Sequence, residues 1–262
     1  MSDSSGRFQA RGVVFDLFHT LVNPDAHRPD GFIRAFKMAE VLGLSDVDGF
    51  SEWWTKMEAQ RHVSRSKKVV EYVDEYLLEH TGRRCTAEQL AEVSLIWGQM
   101  HDRALLEPEE EVVYALRGLR ARGLKLGLLS NIDEREALGW PRSPLSSLFD
   151  AVCLSCDIGY SKPSKQAYSS VLTGLGIDAS SSVYVGDGSH DELAGAKESG
   201  FGLVIFMKGY ISRSGIRSVQ VMNKRERVAD ATIMSLSEIA NMLTVPLPRD
   251  QRQHPEVSRQ SD

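Results

Sequence analysis

The feature that most constrains this 262-residue chain is a set of short, wholly apolar runs at residues 12–18, 124–129, 151–154, 182–185 and 202–207, with a weaker one at 229–234. None alternates apolar with polar residues, as a strand wetted on one face must, so each reads as a β-strand buried on both faces. From about residue 109 onward these runs are separated by helical patterns. Residues 109–122 follow Pro108, open with Glu109, Glu110 and Glu111, and carry Arg120 and Arg122 before Gly123. Acids at the start, bases at the end and a glycine beyond them suit the helix dipole and the helix stop. Residues 164–175 and 189–199 also read as helices. Strands alternating with helices predict an α/β fold, a Rossmann-like, doubly wound parallel sheet.

Residues 30–103 interrupt this alternation. Their apolar positions recur at helical spacing in Phe32-Ile33-Phe36, Phe50-Trp53-Trp54-Met57, Val69-Val70-Val73-Tyr76-Leu77 and Leu90-Val93-Ile96-Trp97-Met100, which predicts four helices. An all-helical block after the first strand reads as an insertion, residues 24–107, in a core made of residues 1–23 and 108–245. Trp53, Trp54 and Trp97 are expected to pack within the helical bundle. Residues 209–227 carry Arg213, Arg217, Lys224, Arg225 and Arg227 without a clear period and read as a solvated loop. Residues 246–262, polar and with three prolines, read as a disordered tail.

The balance of charge narrows the partners. With 31 basic and 36 acidic residues the formal charge is -5, which offers no general attraction to nucleic acid or to an anionic membrane. No apolar stretch reaches the roughly 18 residues of a membrane span, and residues 1–11 lack the apolar centre of a secretory signal, so a cytoplasmic protein is expected. Cys85, Cys153 and Cys156 are too few for a disulfide framework. Cys153 and Cys156 form a C-x-x-C without a second pair or a nearby histidine, and they are expected to pack in and beside a strand.

Ligands of parallel α/β sheets bind at the carboxyl ends of the strands. Asp16 ends the first run, Ser130 and Asn131 end the second, Lys162 lies in the loop after the third, and Asp187 ends the fourth. A carboxylate, a hydroxyl, an ammonium and a second carboxylate thus converge on one volume, a set suited to phosphoryl transfer. Asp16 can attack phosphorus as a nucleophile. Ser130 and backbone amides near Asn131 can donate to phosphate oxygens, with Thr20 also facing the phosphate, while Lys162 neutralises developing charge. Two carboxylates beside an anionic substrate call for a divalent cation between Asp16 and Asp187, and hard oxygen ligands imply Mg2+. The expected partner is a small phosphorylated molecule.

These residues resemble the haloacid dehalogenase-like (HAD) hydrolase superfamily. Its four motifs appear in order as Asp16-Leu17-Phe18-His19-Thr20, Ser130-Asn131, Lys162-Pro163 and Gly186-Asp187-Gly188-Ser189-His190-Asp191-Glu192, over about residues 11–207. The resemblance implies a helical cap of the C1 type, catalysis by Asp16, Ser130 and Lys162, and Mg2+ held by Asp16, the Phe18 carbonyl and Asp187, with Asp191 an outer-shell ligand.

Phe18 departs from the pattern of the family's phosphatases, which carry there a second aspartate as general acid and base, a contribution of about 10²- to 10⁴-fold. Three readings absorb the change. In one, the chain is a Mg2+-dependent phosphatase in which His19 or a cap residue moves the proton; a His19 packed under the cap is the alternative for that residue. In another it is a 2-haloacid dehalogenase, because a halide leaves without a proton and those enzymes carry an aromatic residue at this position. Asp187 weighs against that reading, since its charge would oppose a haloacid carboxylate, and Arg34, Arg61 and Arg65 offer no motif for gripping one. The third is a binder of phosphorylated ligands that turns over slowly or not at all, for which a nucleophile has little use.

Overall fold

The computed structural model describes residues 6–214 and 217–245; the tail expected over residues 246–262 lies outside them. The strands are β1 (Phe8–Gln9), β2 (Gly12–Phe15), β3 (Lys125–Ser130), β4 (Ala151–Leu154), β5 (Ser182–Gly186), β6 (Leu203–Met207), β7 (Ala231–Ile233) and β8 (Leu243–Thr244). Six of them form one parallel sheet in the order β4-β3-β2-β5-β6-β7, while β1 pairs with β8 apart from it. The first apolar run leaves the sheet after Phe15, sooner than its composition suggests, because Asp16 to Thr20 turn back on themselves. Phe15 lies opposite Leu128 on one side and Val185 on the other, so the chain reverses its direction of progress across the sheet at β2. That switch point opens a crevice where β2, β3 and β5 end.

Alternation of side chains along each strand divides the core into two layers. Val13, Phe15, Leu126, Leu128, Val183 and Val185 face one side. Val14, Leu129, Tyr184, Val204 and Phe206 face the other. Both sets are buried, which explains the unbroken apolar runs. Burial of each large side chain contributes about 1.5–3 kcal/mol.

The insertion consists of α1 (Arg34–Leu42), α2 (Val47–Lys56), α3 (Glu58–His62), α4 (Val69–Thr81) and α5 (Ala87–Leu106). Four of these match the predicted helices. The fifth, α3, is a short continuation after the backbone bends at Met57, which ends α2 and begins α3. Asp46 caps α2 through the Gly49 amide (2.9 Å), and Thr86 and Gln89 form a reciprocal capping box on α5. Phe50, Trp54, Tyr72, Val73, Tyr76, Leu77, Val93, Ile96 and Trp97 fill the centre of this bundle, so Trp54 and Trp97 pack as expected. Trp53 is half-buried against the same cluster.

The remaining helices are α6 (Glu110–Ala121), α7 (Ser155–Ile158), α8 (Lys165–Leu175), α9 (Glu192–Glu198), α10 (Gly209–Ser214), α11 (Val219–Val228) and α12 (Ile239–Met242). Val112, Leu116 and Leu119 of α6 close one face of the sheet. Ala167, Tyr168, Val171 and Leu175 of α8 close the other, together with Leu193 and Ala196 of α9. The loop expected at residues 209–227 is mostly helical. In α11 only Met222 is buried, so its periodicity is hidden under charged residues. Cys153 and Cys156 are free and buried.

Candidate active site

Asp16 follows β2 directly, its amide donating to the Val185 carbonyl at 2.9 Å. The chain then folds tightly: the Leu21 and Val22 amides donate to the Leu17 carbonyl, with Leu17 and Leu21 buried as anchors. His19 adopts a left-handed φ of 60°, uncommon outside glycine. This turn brings Thr20 back so that its Oγ1 donates to Asp16 Oδ2 at 2.9 Å. Thr20 therefore orients the carboxylate instead of facing open space.

The other Asp16 oxygen accepts from Lys162 Nζ at 2.6 Å. Lys162 is buried and reaches Glu192 Oε2 at 2.6 Å and the Tyr184 hydroxyl at 3.2 Å. Asn131 holds the main chain of Lys162 from both sides, Nδ2 donating to its carbonyl (2.9 Å) and Oδ1 accepting from its amide (2.7 Å). Asn131 thus positions the lysine, a role its spacing did not reveal. Ser130 Oγ is buried and has no hydrogen-bond partner among the described residues. Burying a hydroxyl without a partner costs about 1–3 kcal/mol, which a bound anion would repay with an acceptor.

Asp187 lies beyond β5, its carboxylate accepting from the Ser189 amide (2.9 Å) and hydroxyl (2.7 Å). Arg225 of α11 donates to the Asp187 carbonyl at 2.7 Å and stands 3.5 Å from its Oδ2. One arginine of the segment expected to be solvated is therefore built into the site. Asp191 departs from its expected place. Its carboxylate is exposed and pairs with Lys224 at 3.0 Å, while the neighbouring Glu192 points inward. His190 and Asp191 both adopt left-handed backbone (φ 54° and 52°), and this local reversal decides which of two adjacent acids enters the site. Gly186 makes room for it, since a Cβ there would lie 2.2 Å from Glu192 Oε1.

Carboxylate oxygens of Asp16, Asp187 and Glu192 lie within 4.8 Å of one another. At an effective dielectric constant near 20, two unit charges at that distance repel by about 3 kcal/mol. Burial raises the pKa of Asp16 and of Glu192, against the opposing pull of Lys162. Burial works against the charge of Lys162 as well, but the two carboxylates outweigh it and raise its pKa. Three buried acids facing one lysine and the edge of one arginine leave an excess of negative charge. Hard oxygen donors with that excess fit a divalent cation such as Mg2+.

Phe18 is packed edge-on against the His101 ring, with centroids 4.6 Å apart. His19 Nε2 lies 2.9 Å from Asp25 Oδ2. Burial lowers the pKa of His19, but the hydrogen bond to Asp25 and the charges of Asp187 and Asp16 turn the net shift upward. The insertion meets the core across a polar seam. The Arg61 guanidinium lies 3.7 Å over the Trp54 ring and 3.5 Å from Asp133 Oδ2, which also accepts from Trp97 Nε1 at 2.8 Å. Burial and the nearby Glu136 push the Asp133 carboxyl up to about 6.

Glu192 and Arg225 went unrecognised in the sequence. The adjacent acids Asp191 and Glu192 were the available signal for the first, and nothing in the spacing of α11 marked the second.

Comparison with known proteins finds relatives over most of the chain. The chain is 31% identical over 238 residues to a glyceraldehyde 3-phosphate phosphatase of Methanocaldococcus jannaschii, covering 89% of this chain and 96% of that protein. It is 26% identical over 242 residues to a ribulose-1,5-bisphosphate 5-phosphatase of Halopiger xanaduensis, covering 90% and 100%. Among solved structures, a HAD phosphatase from Thermococcus onnurineus superposes with a TM-score of 0.58 at 21% identity, over 88% of this chain and 96% of that one. The L-2-haloacid dehalogenase of Xanthobacter autotrophicus gives 0.55 at 18% identity, over 89% and 98%, and so shares the fold. Residues 10–200 match the haloacid dehalogenase-like hydrolases, and the chain belongs to that family of enzymes.

Proposed function

We propose that this hydrolase is a Mg2+-dependent phosphatase that removes phosphate from a small metabolite through an aspartyl-phosphate on Asp16. The observation that carries the reading is the meeting of three buried carboxylates, Asp16, Asp187 and Glu192, at the end of β2, next to which β3 ends in Ser130 with a buried, unpartnered hydroxyl. Two curated relatives named as phosphatases, aligned over most of their length, support it. In this reading Thr20 and Lys162 fix the two oxygens of Asp16, so the nucleophile is oriented before substrate arrives. The Ser130 hydroxyl donates to a phosphate oxygen, and Lys162 balances charge that shifts from Asp16 toward the transferring group. Mg2+, held by Asp16, Asp187 and the Phe18 carbonyl, would supply charge neutralisation and polarisation of the phosphoryl group. Glu192 keeps Lys162 in place, and Asp191 stays outside the reaction volume.

Phe18 can neither give nor take a proton. The His19–Asp25 pair is the nearest built substitute on the same turn, with Asp25 holding Nε2 and leaving Nδ1 for exchange. The free cysteines favour a reducing, cytoplasmic setting.

A panel of phosphorylated metabolites and 2-haloacids, assayed with Mg2+ and scored for both phosphate and halide, tests the assignment. Phosphate release that disappears in Asp16→Asn and in EDTA is expected. Full phosphate release in EDTA would refute the metal-dependent reading. Phe18 favours the dehalogenase as the second reading, and halide release without metal would select it. Neither product across the panel would select the binder.

A further inference from the structure

We propose a second metal site, made of Glu58, His62 and His190, that takes a borderline transition ion such as Zn2+ at the seam between the helical insertion and the sheet domain. One ligand atom from each of these residues lies within 4.8 Å of the other two. Glu58 and His62 stand four residues apart on α3, a spacing that puts both on one face of a helix. His190 comes from the other side of the seam, in the loop after β5. Its Nε2 lies 3.7 Å from Glu58 Oε2. A tetrahedral ion with bonds of about 2.0–2.1 Å holds its ligands roughly 3.4 Å apart. That edge is therefore nearly formed, and small rotations of the half-exposed Glu58 and His190 side chains bring in the third.

Two further features bear on the site. The same left-handed reversal that turns Glu192 inward (φ 54° at His190) sets the His190 ring edge-on to the His62 ring of α3, with centroids 6.1 Å apart. His62 is buried, yet the carboxylate across from its Nε2, Glu136, is 3.9 Å away and out of hydrogen-bond range. Burial lowers the pKa of His62 and the His190 contact lowers that of Glu58, while the same contact raises that of His190, so an ion binding here takes the place of the proton that His190 shares with Glu58. Two imidazoles and one carboxylate select Zn2+ over Mg2+, unlike the all-oxygen set around Asp16. The half-exposed side chains give an ion a path from solvent and a free fourth position.

Glu58 and His62 belong to the insertion, whereas His190 sits three residues after Asp187. A bound ion would therefore clasp the insertion to the loop that builds the reaction site. This site stands whether or not the chain is a phosphatase.

The test is calorimetric titration of the metal-stripped full chain with Zn2+, in excess Mg2+ so that the oxygen donors are occupied. Asp187→Asn is titrated alongside, to separate binding at the Asp16 cluster. We expect one Zn2+ per chain in the wild type and in D187N, weakened about tenfold or more in Glu58→Gln and in His190→Asn. Asparagine tolerates the left-handed backbone, and both positions are half-exposed, so an unchanged metal-free Tm is the control on folding. Cobalt substitution gives a second readout, visible absorption present in D187N and lost in H190N. Absence of Zn2+ binding by the wild type, loss of binding in D187N, or wild-type affinity in both E58Q and H190N would overturn the proposal.

Discussion

Replacing Lys162 by methionine keeps the length of the side chain and deletes its charge. The ammonium stands 2.6 Å from an oxygen of Asp16 and 2.6 Å from one of Glu192, with all three groups buried. The Coulomb attraction of each pair is about 6 kcal/mol at a dielectric constant near 20, but most of it offsets the desolvation of the ions. What the substitution exposes is the remainder: two buried carboxylates with their common partner gone, a loss of about 3–5 kcal/mol. For a chain of this size that corresponds to a fall in Tm of about 10 °C. The deficit has a sign in pH. Burial already raises the pKa values of Asp16 and Glu192, so as pH climbs the unfolded chain loses these protons first and stability declines. Without Lys162 that decline steepens, and the gap between variant and wild type should narrow toward about pH 4, where the carboxylates are largely protonated. Thermal unfolding of both proteins in EDTA at neutral and acidic pH measures it. A K162M variant within about 1 kcal/mol of wild type at pH 7, or a deficit that does not change with pH, would refute the electrostatic account.

Three further outcomes are expected. Glu192→Gln should cut turnover by an order of magnitude or more, because Lys162 loses its second carboxylate, while Asp191→Asn stays within about twofold; equal effects would reverse the assignment of the two acids. Asp25→Asn tests the pairing with His19. The His19 contact holds the Asp25 carboxyl well below its usual range, so its contribution is present above about pH 4 and is lost on further acidification. The raised pKa of His19 adds stability that is full below about pH 6.5 and disappears as pH rises through the folded value. The Tm difference between wild type and D25N should therefore peak between about pH 4 and 6.5, and a flat difference from pH 3 to 9 would count against the pair. Trp97→Phe removes the 2.8 Å donor to buried Asp133 together with one of the two fused rings of a buried side chain, and should cost at least about 1–3 kcal/mol in urea unfolding, whereas a loss below about 0.5 kcal/mol would mean that Asp133 finds another donor and the bundle closes the gap.

The parallel sheet was legible because strands buried on both faces leave unbroken apolar runs, and Val13 and Val14, facing opposite layers, are both fully buried. Asp16, Ser130, Lys162 and Asp187 were legible because strand ends in such a sheet converge. The orientation of neighbouring side chains was hidden, since it depends on single backbone angles: two left-handed residues turn Glu192 inward and Asp191 outward. Arg225 was hidden for another reason. Its helix buries only Met222, so the pattern that announces a helix is almost absent. The double contact of Asn131 with Lys162 spans 31 positions and leaves no local trace.

The placement of β2 between β3 and β5 has a consequence for when this chain becomes reactive. The bond between Lys162 and Asp16 joins residues 146 positions apart, across a sheet in which two strands from beyond the helical insertion, β3 and β5, flank the first. A nascent or partly refolded molecule can form the helices of the insertion from local contacts, yet its Asp16 carboxylate is not yet held by Lys162. Catalytic competence is then a late reporter of assembly. Fragments left by proteolysis between β2 and β3 would lack the Lys162–Asp16 bond.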